Sequence, residues 1–174
     1  VADIKDVREL RDLILLLVPR VGSILDITKI ASELGVNRTK IYDYLEFLQG
    51  LFFIKLIPKY SKSIDRSVAG GKKIYFSDTG ILNHLGKLST GQLFENSIAN
   101  QLNSYGELSF YNMRGKSEID FILNKEFAFE VKLKGTTQDY KRLLNLALGL
   151  NIPSCSIISN SYCEVERVIY PMQL

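Results

Sequence analysis

Asp120, Glu130 and Lys132, with Glu95 upstream, are the residues whose types and spacing could do chemistry. Two carboxylates and a lysine set out as Asp-(nine residues)-Glu-x-Lys, on two short apolar stretches, are the parts of a metal-dependent phosphodiester-hydrolysing site. Carboxylate oxygens suit a hard cation such as Mg²⁺, or Mn²⁺ in its place, which keeps several waters. A neighbouring lysine can orient or activate an attacking water and stabilise charge developing on phosphoryl oxygens.

Strand alternation decides which of these groups can meet. Along 118–123, Ile119, Phe121 and Leu123 share one face, and Glu118 and Asp120 the other. Along 127–133, Phe127, Phe129, Val131 and Leu133 share a face, and Glu130 and Lys132 take the opposite one. A two-residue turn at Lys125-Glu126 would set Asp120 against Val131, on the wrong face. A three-residue turn, Asn124-Lys125-Glu126, pairs Leu123 with Phe127 and sets Asp120 across from Glu130, with Cβ atoms roughly 5 Å apart. Two carboxylates that close repel unless a cation lies between them. The expected metal ligands are Asp120, Glu130 and the Val131 carbonyl, with Glu95 binding or orienting a second metal or a water. Glu95, Asp120, Glu130 and Lys132 form the expected catalytic set. The plainer alternative is a cross-strand ion pair between Asp120 and Lys132.

The elements that must position these groups follow from periodicity and caps. Residues 5–18 read as a helix. Asp26 caps a second helix, Gly35-Val36 turns, and Asn37 caps a third that Gly50 stops. A β-rich run from Leu51 to Tyr60, a basic loop over 61–71 and a strand over 73–77 follow. Three helices and a two-stranded wing make a winged helix-turn-helix, with Ala31, Gly35 and Ile41 at the offsets such a turn needs. Asp78 reads as the N-cap of the next helix and His84 as a helix-surface residue.

Further on, a helix over 91–102 is followed by strands over 108–113, 118–123 and 127–133. A crossover helix over 137–149 and strands over 155–158 and 165–170 complete the pattern. The order αβββαβ predicts an α/β mixed sheet with helices on its faces, α+β overall. Phe94, Ile98 and Leu102 mark the buried stripe of the 91–102 helix. Glu95 lies about 20° from Leu102 in helical phase, so it points toward the sheet. The expected boundary divides a domain over 1–85 from one over 86–174.

Composition sets the outer limits. The chain has 174 residues, 46% of them hydrophobic and 24% charged, and a net charge of +3. No apolar run nears the ~20 residues needed to span a bilayer, so no membrane association is expected. The stretch from Leu13 to Pro19 is too short for a secretory signal. Cys155 and Cys163 with the single histidine, His84, do not make a zinc set, and a reduced, cytoplasmic protein is expected.

Charge is unevenly placed. Residues 37–75 hold eight lysines and arginines against three acids, whereas 76–174 hold nine against ten. A basic first half fits a DNA partner. Arg38, Lys40 and Tyr42 lie on the exposed side of the third helix, where they could enter a groove or meet phosphates. Lys59, Lys62, Arg66, Lys72 and Lys73 could hold the backbone through the wing. Lys134, Lys141 and Arg142 adjoin the acidic site and could grip the strand to be cut.

Asp120, Glu130 and Lys132 match the core motif of the PD-(D/E)XK nuclease superfamily, which the second half resembles. The whole chain resembles the C-terminal region of archaeal and bacterial AAA+-type ATPases. The matching stretches are Tyr42-Asp43-Tyr44-Leu45-Glu46-Phe47-Leu48, Lys73-Ile74-Tyr75-Phe76-Ser77-Asp78-Thr79-Gly80-Ile81-Leu82, Gly91-Gln92-Leu93-Phe94-Glu95-Asn96 and Glu118-Ile119-Asp120-Phe121. The resemblance implies a winged helix followed by a restriction-endonuclease-like domain, Mg²⁺ as cofactor, and an ATPase module. This chain carries no Gly-x-x-x-x-Gly-Lys-Ser/Thr, since Phe110 stands where the first glycine ahead of Gly115-Lys116-Ser117 should be. The expected function is a DNA-binding protein with a Mg²⁺-dependent nuclease domain. The alternative is a non-catalytic DNA-binding or regulatory module that keeps a relic nuclease fold. A homo-oligomer is compatible with either.

Overall fold

The computed structural model describes residues 4–61, 71–113 and 117–174. Lys62, Arg66 and most of the expected basic loop lie outside the described residues. The described part is a mixed α/β structure with two sheets.

The first half opens with α1 (Ile4–Leu17), a short 3-10 turn at Val18–Arg20, α2 (Ile27–Leu34) and α3 (Arg38–Gly50). The caps act as the sequence predicts. The Asp26 carboxylate accepts from the Lys29 amide at 3.0 Å, and the Asn37 side chain accepts from the Lys40 amide at 2.8 Å. Gly35 closes α2 in the left-handed conformation at φ 70°. Gly50 does not stop α3 but is its last helical residue. The left-handed turn falls two residues later on Phe52, at φ 55°. Two antiparallel strands follow, β1 (Ile54–Pro58) and β2 (Lys72–Phe76), in a register that pairs Leu56 with Ile74.

After α4 (Thr79–Leu85), capped by Asp78, comes α5 (Thr90–Leu102), with a capping box between Ser89 and Gln92. The second sheet holds β3 (Leu108–Asn112), β4 (Glu118–Leu123), β5 (Phe127–Lys132), β6 (Ser154–Ser159) and a short β7 (Val168–Ile169), in that spatial order. β3, β4 and β5 are antiparallel; β5, β6 and β7 are parallel. The crossover from β5 to β6 is α6 (Thr137–Leu150), which returns the chain to the starting edge as a parallel connection requires. The last strand is shorter than the expected 165–170.

Leu123 pairs with Phe127, so the hairpin turn has three residues, with Asn124 and Lys125 both at positive φ. β3 and β4 do not stay in register. Leu108 and Ser109 pair with Leu123 and Ile122, but Tyr111 and Asn112 pair with Ile119 and Glu118. Phe110 alone therefore opposes both Asp120 and Phe121. This is a β-bulge, which re-aims side chains on the bulged strand.

One apolar core runs from α1–α3 through β1–β2 to the α5 face of the large sheet, and includes Leu17, Ile41, Ile74, Ile98, Phe110, Phe121 and Val131. A second lies between that sheet and α6, built on Ile119, Ile122, Ala128, Leu143 and Ile157. The core is thus continuous across the boundary expected near residue 85. The Tyr60 amide donates to the Phe110 carbonyl at 2.6 Å, which ties the small sheet to the edge strand of the large one.

Candidate functional site

The four residues singled out by spacing come together at one end of the large sheet, but not on one face. β5 alternates regularly. Phe129 and Val131 belong to the core under α5, while Ala128 belongs to the core under α6. Glu130 and Lys132 therefore face α6. On β4 the bulge breaks the alternation: Ile119 and Ile122 both pack under α6, and Phe121 packs under α5. Asp120 turns toward β2 and α5 with Phe121. The expectation of a single shared face is corrected here, because the parity rule assumes an unbroken ladder.

Asp120 spends one oxygen on the neighbouring strand, where the Val131 amide donates to its Oδ2 at 2.9 Å. Val131 was expected to offer its carbonyl to a metal; its contact with Asp120 is through the amide. Asp120 lies within electrostatic reach of Glu95, Glu118 and Lys73 on one side and of Glu130 and Lys132 on the other. It is the junction between two charged groups.

The first group lies under α5. Glu95 projects inward, and its direct contacts are with β2 of the small sheet. Its Oε1 accepts from the Tyr75 hydroxyl at 2.7 Å, and the Lys73 ammonium stands 3.9 Å away. Gly22 packs so closely that a Cβ there would meet Glu95 Oε1 at 3.0 Å, and its φ of 76° strains any larger residue. Lys73 is only 3% exposed, forms an ion pair with Glu118, and lies 5.4 Å from the Phe110 ring centroid. The sequence assigned it to a DNA-facing wing, but it is a buried counter-ion. A hint existed in the alternation of β2, which puts Lys73 and Tyr75 on one face.

The second group lies under α6. Glu130 is 3% exposed, and its Oε1 takes both the Lys132 ammonium at 2.8 Å and the Arg142 guanidinium. Its other oxygen, Oε2, is buried and has no hydrogen-bond partner. A buried carboxylate oxygen left so is costly unless something else satisfies it. Arg142 also stands 3.8 Å from Asp139. The ion pair of Lys132 is thus with Glu130.

These surroundings push the carboxyls up. Burial, then the Asp120 charge, raise Glu95 to about 7, although Lys73 and the Tyr75 hydroxyl favour its ionised form. Burial is also the main cause that raises Asp120, against the pull of Lys73 and the Val131 amide. Glu130 is raised by burial and then by Asp120. Burial opposes the charge on Lys73, yet Asp120, Glu95 and Glu118 outweigh it and hold its value above the ordinary one. Four carboxylates facing three cations leave negative charge under-compensated.

The donor chemistry fits a hard divalent ion in type: oxygen ligands, mutual repulsion between carboxylates, and an unpartnered buried oxygen. It fits at most as a pair, because among the described residues no three His, Cys, Asp or Glu side chains converge as a metal group. Asp120 and Glu130 would hold the ion, and Glu95 stands behind Asp120.

The expected nucleic-acid contacts divide. Arg38 and Tyr42 are exposed on α3, and Lys72 is exposed on β2. Lys40 instead folds back on α1, 2.5 Å from Glu9 and 5.5 Å from the Tyr44 ring centroid. Lys134 and Lys141 are exposed beside α6, while Arg142 is engaged with Glu130. His84 is exposed on α4, as expected. No helix among the described residues is long and apolar enough to cross a membrane.

Residues 1–92 match the family model described as a domain of unknown function, DUF8612. No curated protein and no solved structure matches the chain.

Proposed function

The chain belongs to the DUF8612 family, a domain of unknown function, and we propose that it is a DNA-binding protein whose second half hydrolyses phosphodiesters with a bound Mg²⁺ or Mn²⁺. In this reading α1–α3 with β1 and β2 are a winged helix-turn-helix. Residues 86–174 are a PD-(D/E)XK nuclease-like domain. An AAA+-type ATPase module is the expected partner, in the same protein or in trans. The observation that carries the reading is the junction at Asp120. Its charge acts on Glu95 on one side and on Glu130 on the other, and Glu130 holds a buried oxygen with no partner.

When bound, the ion would supply Lewis acidity and an acidified water. The chain's own residues do the rest. Lys132, partly exposed at the rim, offers its ammonium to a phosphoryl oxygen and orients water. Glu95, with a pKa near 7, can accept a proton at neutral pH, and the Tyr75 hydroxyl keeps its carboxyl in place. Exposed Lys134 and Lys141 attract the phosphate backbone to this end of the sheet.

One observation favours a second reading, a regulatory DNA-binding module with a relic nuclease fold. The bulge sends Asp120 and Glu130 to different faces, and Lys132 and Arg142 both neutralise the same Glu130 oxygen. Cleavage assays with Mg²⁺ or Mn²⁺ on duplex, flap, junction and single-stranded substrates separate the two. Wild-type cleavage that Asp120→Ala abolishes supports the nuclease. Salt-sensitive DNA binding without cleavage, or cleavage unchanged by Asp120→Ala, supports the relic.

A further inference from the structure

The end of the large sheet opposite Asp120 holds a cavity of about 550 Å³. That volume lies within the ~300–1,000 Å³ range of small-molecule pockets. Its walls are mainly apolar: Leu102 from α5, Phe127 and Phe129 from β5, Ile169 from β7, and Leu174. α5 packs over β5, and Gln173 and Leu174 line the side of the cavity next to Ser156 and Ile169.

One charged side chain lines this cavity, Arg167, and no carboxylate side chain does. It directly precedes β7, and its carbonyl accepts from the Ile157 amide at 3.0 Å, which holds it beside β6. Its guanidinium makes no hydrogen bond or ion pair among the described residues. Its charge also acts on the Cys155 thiol in the core under α6, which burial raises and Arg167 lowers. Two of the polar groups nearby are engaged: Asn124 accepts from the Glu107 amide and donates to the Tyr105 carbonyl, and Gln173 accepts from the Tyr170 amide. Arg167 is the one cationic side chain in this lining, alongside the hydroxyls of Ser154 and Ser156.

We propose that this cavity is a binding site for a small amphipathic anion, an apolar or aromatic body carrying a carboxylate, sulfonate or phosphate ester. The body lies against Leu102, Phe129 and Ile169, and the anionic head meets Arg167, whose fork of donors matches such groups. The site is independent of the carboxylate cluster and does not rest on the nuclease reading.

The test uses two naphthalene probes of similar shape, 1-anilinonaphthalene-8-sulfonate and the uncharged N-phenyl-1-naphthylamine, titrated by fluorescence into the full chain. The sulfonate should bind saturably at one site, and Arg167→Gln should weaken it about tenfold while leaving the neutral probe unchanged, as loss of one charge-assisted hydrogen bond predicts. Ser156→Phe, which fills the cavity, should abolish binding of both, with thermal melts confirming that each variant folds. Phe52→Ser, which removes an exposed aromatic residue elsewhere, should have no effect. The proposal is overturned if Arg167→Gln leaves the sulfonate unaffected or Phe52→Ser removes it. Retained binding in a folded Ser156→Phe variant, or sedimentation showing a dimer that excludes the probes, would overturn it too.

Discussion

Replacing Glu95 by glutamine removes a charge that the fold holds against resistance. The carboxyl is half-buried beside Asp120 and has a pKa of about 7 against an ordinary 4.5. A gap of about 2.5 units corresponds to roughly 3 kcal/mol at 1.36 kcal/mol per unit. The sign follows from linkage. The folded state binds the proton more tightly than the unfolded chain, so stability falls as pH rises from about 4.5 to about 7. Below that window Glu95 is protonated in both states and contributes nothing; above it the full penalty is present. Glutamine keeps an acceptor for the Tyr75 hydroxyl and leaves Lys73 its ion pair with Glu118. In urea titrations the variant should therefore match the wild type near pH 4.5 and exceed it by up to about 3 kcal/mol at pH 8. A variant less stable than the wild type at pH 8 would refute the reasoning, since Lys73 would then over-compensate Glu95.

The same cluster yields further expectations. Lys73→Met should destabilise the protein by about 1–3 kcal/mol at pH 8, because it leaves the half-buried carboxylates of Glu95, Asp120 and Glu118 without their cation, and by less at pH 5, where Glu95 is protonated; denaturant melts at both pH values check it. Phe110→Ala should cost about 3–5 kcal/mol in the same melts, because Phe110 fills the core opposite the bulge and underlies Lys73. In DNA titrations over a range of salt, Arg38→Ala and Lys72→Ala should each lower the salt-dependence slope by about 1. Lys40→Ala should leave that slope unchanged, since Lys40 is already paired with Glu9.

Much of the frame was legible in the sequence, because short-range rules governed it. Asp26, Asn37 and Asp78 cap helices where their side chains reach a free amide, a decision made within four residues. The odd-length turn at 124–126 followed from matching apolar rows on two strands. The bulge was not legible. It depends on β3 and β4 changing register around Phe110, and nothing in Glu118-Ile119-Asp120-Phe121 shows a residue that will go unpaired. From that one event follow the separation of Asp120 from Glu130 and its approach to Glu95. Lys73 misled for a different reason. Its basic neighbours at Lys62, Arg66 and Lys72 suggest a surface, whereas its place is set by carboxylates more than 20 residues away. Arg142 was read as a substrate contact because an i-to-j ion pair between a helix and a strand leaves no mark in local sequence.

The measurement that bears most directly on the account is a Mn²⁺ titration at pH 8, by calorimetry, of the wild type, Asp120→Asn and Glu130→Gln. If the Asp120–Glu130 junction is a cation site, the wild type binds the ion saturably. Each substitution then removes that binding while the fold persists. No binding by the wild type, or equal binding by all three proteins, would contradict the account and leave the carboxylates as partners of Lys73, Lys132 and Arg142 alone.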